Sequence, residues 1–229
     1  MLAAKNELEA NRQRDNAQRE RYLWVADEIA MQATEVADAQ LSGLLAIQAF
    51  NFSNHYKGYE FNNRIYRGLT YSLNRFEQVP ASTDTNWMTP GKMIADTTRV
   101  RQRLSRFSFG VGKIMFNNSA SRMVALCSDG KIRVWNLKKM NETALVIPEP
   151  EAVIRVSFNR DDSQVICEIK NPKTGGRYHA YPIQLSEIAR RLSKYMTGNM
   201  TDEEWDISIP GLPYESTIPT LPAGGKRRK

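Results

Sequence analysis

The sequence predicts an α+β chain: an N-terminal long helix and helical hairpin, then antiparallel sheets, then short C-terminal helices. Three observations predict it. Apolar residues recur at helical spacing from Tyr22 to Phe76. Residues 128–137, SDGKIRVWNL, read as an Asp-Gly turn feeding a strand with alternating apolar residues. FNNSASRMVALC, from Phe116, lies over FNRDDSQVICEI, from Phe158, as an internal repeat offset by 42 residues.

The chain of 229 residues is long enough for one large or two small domains. No apolar run approaches the roughly 18 residues of a membrane span, so no transmembrane segment is expected. No basic segment followed by an apolar core opens the chain, which points to a cytoplasmic location. The net charge of +7 is spread out: residues 1–40 carry five basic and eight acidic side chains, residues 41–107 nine and four, and residues 108–183 eleven and seven. The densest cluster is the tail Lys226-Arg227-Arg228-Lys229. Recognition of nucleic acid wants the charge focused on one element with polar or aromatic readers, so that role is disfavoured.

Residues 1–40 read as one long polar helix, with Glu7, Glu9, Arg12, Arg14, Asp15 and Arg19 leaving little apolar surface. Such a helix is a solvent-exposed stalk or one strand of a coiled coil, although Leu8, Asp15 and Tyr22 do not sustain a heptad. From Tyr22 the stripe thickens through Val25, Ile29, Ala33 and Val36, and this end is expected to pack. Residues 41–76 form a helical hairpin, turning at Lys57-Gly58, with Asn62 or Asn63 as the second N-cap. Residues 77–98, interrupted by Pro80, Pro90 and Gly91, read as a linker.

Residues 99–183 carry the sheets. Arg99, Arg101 and Arg103 alternate with Val100, Gln102 and Leu104, the pattern of an edge strand with positive charge outward. With Arg106 they offer a basic interaction surface. The first repeat should place strands near 113–116, 122–127, 131–136 and 143–147, the second near 152–158, 164–169 and 177–183. In the second repeat the Asp-Gly turn is replaced by the longer 171–176 connection, and no fourth strand follows. Residues 184–222 give an amphipathic helix from Leu185, a capping box at Thr201 and Glu204, Trp205 as the anchor of a second helix, and an extended Pro-rich segment. Residues 223–229 form a basic disordered tail.

Sites for chemistry are sparse. His55 and His179 lack a second ligand at metal spacing, and Cys127 and Cys167 read as small buried hydrophobes. Gly110-Val111-Gly112-Lys113 is no phosphate loop, because Phe107 stands where a glycine is needed and Ile114 where Ser or Thr is needed. Asp161-Asp162 and Glu203-Glu204 are explained by turn chemistry and capping. No catalytic residue, metal or cofactor is expected, and the chain is read as a non-enzyme.

The turn Asp129-Gly130 and strand Trp135 resemble a blade of a WD-repeat propeller, whose period is about 40–45 residues. Residues 44–73, LLAIQAFNFSNHYKGYEFNNRIYRGLTYSL, resemble the helical segment before the propeller of bacterial, Bacteroidetes-type WD-repeat signal-transduction NTPases. Residues 200–219, MTDEEWDISIPGLPYESTIP, resemble their closing segment. The resemblance implies antiparallel four-stranded blades in an incomplete propeller of about two, without the NTPase module. Of the His, Ser/Thr, Asp and Trp that such a blade often links by hydrogen bonds, it places Asp129 and Trp135 here. It implies a protein-interaction or sensor module that binds a protein partner or self-associates, through loops such as 117–121, 128–131 and 159–163. The alternative is a structural subunit of a larger bacterial envelope or secretion assembly. Two blades alone are expected to expose large apolar sheet faces.

Overall fold

The computed structural model describes residues 2–77, 100, 104, 105, 108, 110–149, 151–170 and 177–224. The fold is α+β, with five helices and two antiparallel sheets among the described residues, and it is neither a closed barrel nor a closed propeller. The chain divides into two compact units. One joins Met1–Glu77 to Leu185–Lys229, and the other is Gln78–Gln184. The described helices include none long and apolar enough to cross a membrane.

In the discontinuous helical unit, α1 spans Leu2–Gln32, α2 Ala39–His55, α3 Asn63–Leu73, α4 Leu185–Ser193 and α5 Asp202–Ser208. From Ala4 to Arg21 every residue of α1 is exposed, and Tyr22, Val25, Ala26, Ile29 and Ala30 then bury one face. The helix ends at Gln32 and does not run to residue 40. Asp38 takes another role: its carboxylate accepts Leu41 N–H at 2.8 Å and caps α2. Arg75 satisfies the loop carbonyls of Val36, at 2.9 Å, and of Ala37. Helix α2 is buried without a break from Ser42 to Ala49, which makes it the centre of the unit. Gly68 of α3 sits so close to α1 that a Cβ would meet Ala30 O at 2.7 Å. Asn62 caps α3 and Lys57 takes a left-handed turn conformation, as the spacing indicates.

The C-terminal segment is pinned onto this bundle. Thr201 and Glu204 form the expected capping box. Trp205 is 1% exposed, meets Phe52 edge-on and donates its indole N–H to Leu212 O at 3.0 Å. Asn199 holds the Pro-rich stretch by accepting Ile218 N–H at 2.8 Å and donating to Ile218 O, Leu221 O and Pro222 O.

In the sheet unit the strands are β1 Val111–Phe116, β2 Arg122–Cys127, β3 Ile132–Asn136, β4 Leu145–Ile147, β5 Val153–Phe158, β6 Gln164–Ile169 and β7 Arg177–Pro182. The sheet orders are β1-β2-β3-β4 and β5-β6-β7, so each repeat builds its own sheet. Register breaks fall at Val111/Ile114 and at Val153/Arg155, equivalent places in the two repeats. One face of the first sheet is a core of Phe116, Met123, Ala125, Cys127 and Trp135. The other presents Val124, Ile132, Val134, Leu145 and Ile147, all buried.

Two further expectations are corrected. Val100 and Leu104 have helical backbone and do not form an edge strand. Their four-residue separation suits a helix face as well as strand alternation, and Leu104 is buried against Phe116, Met123 and Trp135. The sheets also do not present large apolar faces. Among the described strand residues the exposed large hydrophobic is Ile154, because Leu104 and Val100 cover one face of the first sheet. Arg99, Arg101, Arg103 and Arg106 lie outside the described residues, as do the 171–176 connection and nearly all of the linker.

Replacing Trp205 by Ala removes a fully buried ring and should destabilise the helical unit by about 3–5 kcal/mol in denaturant unfolding. An unchanged midpoint would contradict the anchoring role.

Candidate interaction cleft

The repeat places the same chemistry twice. Asn117 accepts Arg122 N–H at 2.7 Å, and Asn159 accepts Gln164 N–H at 2.9 Å. Each asparagine also donates to the serine four residues on, Ser121 or Ser163. Ala120 and Asp162, at equivalent positions, both take the left-handed conformation, with φ of 52° and 61°. The Asp162 carboxylate then crosses to the first sheet. It accepts Asn117 Nδ2–H and Asn118 N–H, both at 3.0 Å, and Ser119 N–H at 3.4 Å. Asn118 Nδ2 returns a bond to Arg160 O at 2.8 Å. Turns 117–121 and 159–163 therefore hold each other, and their polar groups are largely spent on that contact.

The third loop, 128–131, lies at the opposite end of the strands. Gly130 has φ of 76°, the left-handed residue of the turn. Asp129 does not reach Trp135. Its two oxygens accept from Arg133 Nη1 at 2.8 Å and Nη2 at 2.7 Å, and Lys131 N–H adds a bond at 3.2 Å. Arg133 is a buried cation on the same sheet face as Trp135, opposite Ala125, so Asp129 supplies the counter-charge it requires. The guanidinium holds the Asp129 carboxyl down at about 2. Trp135 serves the apolar core.

Beside this loop opens a cleft of about 390 Å³, lined by Gly110, Val111, Gly112, Leu126, Cys127 and Ser128 on the first sheet and Ile154–Val156 on the second. It is mainly apolar. Gly112 permits close strand approach, since a Cβ there would meet Leu126 O at 2.7 Å. Ile154 is 55% exposed. Arg155, with half of its side chain exposed, pairs with Glu168 at 2.8 Å. Burial pushes the Cys127 thiol up, and the Cys167 thiol further, which disfavours the thiolate of both.

The fold brings Glu149 and Glu151 to His179, which sequence spacing does not reveal. Ligand-type atoms of the three lie within 4.8 Å of one another. Each already has a protein partner, however. Glu149 accepts from Tyr181 OH at 2.6 Å and from Glu151 N–H at 2.9 Å, and lies 2.8 Å from His179 Nδ1. Glu151 is paired with Arg177. The group is a polar network beside β7, reaching back to the residue two beyond β4. His55 stands apart, at the exposed end of α2.

Comparison with protein-family models, with curated proteins and with solved structures returns no match to this chain.

The Asp129–Arg133 pair carries a pH signature. A carboxyl depressed in the folded state stabilises fully above its ordinary value near about 4 and loses that contribution as pH falls through the depressed one. Acid melting between about pH 4 and pH 2 should therefore contain a component that Asp129→Asn lacks. The variant should also melt lower at neutral pH, because Arg133 loses its counter-ion. Parallel acid profiles for the two proteins would contradict the pairing.

Proposed function

We propose that the chain is a non-enzymatic protein-interaction module built on two WD-like blades, a shortened relative of bacterial WD-repeat signalling proteins. The cleft between the two repeats is its docking place. The observation that carries the reading is Ile154: strand apolar residues elsewhere are buried or half-buried, whereas this one stands 55% exposed at the lip of a mainly apolar cleft. An exposed apolar side chain at the lip of an apolar concavity extends the surface on which a partner's apolar group can be seated. The turn adjoining the cleft exposes Lys131. Residues 108–183 as a whole carry eleven basic and seven acidic side chains. The occupant that fits is an extended segment of a partner protein, with an apolar side chain flanked by acidic residues.

A second reading, a structural subunit of a larger bacterial envelope or secretion assembly, draws support from α1. Its exposed residues 4–21 span about 27 Å and have no apolar face of their own to bury. In that case a partner helix would dock there and the cleft would be dispensable.

Peptides selected on the intact chain from a random displayed library separate the two. Enriched peptides should pair an apolar residue with acidic neighbours, and Ile154→Asp should weaken them at least about tenfold. Its melting temperature should stay nearly unchanged, because the side chain is exposed. Equal binding to both proteins would remove the cleft from the account.

A further inference from the structure

The two repeats are equivalent enough for one to show what a neighbour of the other would need. The second repeat seats itself on the first through Asp162, which enters the nest made by Asn117 Nδ2, Asn118 N–H and Ser119 N–H. In an extendable array every repeat would offer that carboxylate to the one before it and that nest to the one after it. We infer that this pair is closed at both ends by its own residues, so that no third repeat, from a second copy or from a partner, stacks on either sheet.

At the leading end, the position equivalent to Asp162 is Ala120, which shares the left-handed backbone but has no carboxylate to give. The face of the first sheet that a preceding repeat would cover is already covered by Leu104, 4% exposed, with Val100 beside it. At the trailing end, Asp161 replaces Ser119 at the nest and turns its carboxylate onto Ser163 N–H at 3.0 Å. Hydrogen bonds from Ser163 hold Asp161 below the ordinary carboxyl range, so it is charged and repels an incoming aspartate. On the far face of the second sheet, Glu168 replaces Leu126 and Arg155 replaces Lys113, and the two form an ion pair. Charge on an end repeat's outer face is what stops a repeat array from growing. Of the other positions there, Ser157, Ile166 and Tyr178 are already buried and Gln164, Ala180 and Pro182 are half-buried.

The inference stands on repeat geometry and does not depend on the cleft reading. It separates docking of a peptide segment, which the cleft permits, from completion of a propeller by stacking, which the ends forbid.

Sedimentation of the wild-type chain, read with disulfide trapping in Ala120→Cys/Arg160→Cys, tests it. These positions would meet across a continued stack, and the native Cys127 and Cys167 are buried. The intrachain pair Asn118→Cys/Asp162→Cys sets the rate of closure for a true contact. The expected result is a mass independent of concentration and no multimer ladder on oxidation. A rising mass without a ladder places self-association on another surface and leaves both ends closed. A rising mass with a ladder forming at the intrachain rate would overturn the inference.

Discussion

The sheet unit depends on one carboxylate held in an awkward place. Asp162 adopts a left-handed conformation that few residues other than Gly, Asn and Asp tolerate, and this aims its side chain out of its own turn and into the neighbouring one. Three N–H donors of the first repeat converge on it. Without this contact the second repeat would be a three-stranded sheet joined to the first by its linker and by apolar packing of β5 beside β1 and β2. With it the two turns are fixed, and the opposite ends of the same strands are left to form the cleft.

The helical unit solves a different problem. Helices α1 and α3 pack against α2, but these three helices leave α2 and α3 uncovered on one side. Helix α4, returning after the sheets, supplies Ile188, Ala189 and Leu192 against them. Gly43 of α2 leaves the space that Met196 occupies. Asn199 and Trp205 then tie down the extended Pro-rich segment, which has no ladder of its own. The hydrophobic core of this unit is shared between residues far apart in the chain, such as Phe52 and Trp205.

What was legible in the sequence was local. The strands fall within two residues of their alternation patterns, the Asn62 cap and the Thr201 capping box occur as read, and the repeat offset is reproduced in backbone conformation at Ala120 and Asp162. Ile154 was not singled out within its strand, because its exposure and its place beside a cleft come from packing and not from local spacing. What was not legible was the choice between patterns that fit equally well. Val100 and Leu104 suit a strand or a helix, and a buried partner decided between them. Asp161-Asp162 reads as turn chemistry for both residues, yet one bonds locally and the other reaches across to the first sheet. The Asp129 carboxylate was expected in a tetrad with Trp135 and is taken by Arg133, whose signal was a cation on the core face of a strand. The Glu149–His179 contact joins residues 30 apart and has no local signature.

The central claim is that the two repeats form one cooperative body locked by Asp162. Native-state hydrogen exchange tests it most directly. In the wild-type chain, amides of β1–β3 and of β5–β6 should open together with a common protection. In Asp162→Ala, β5–β6 should open earlier than β1–β3. Separate opening of the two sheets already in the wild-type chain, or common protection retained in the variant, would contradict the account.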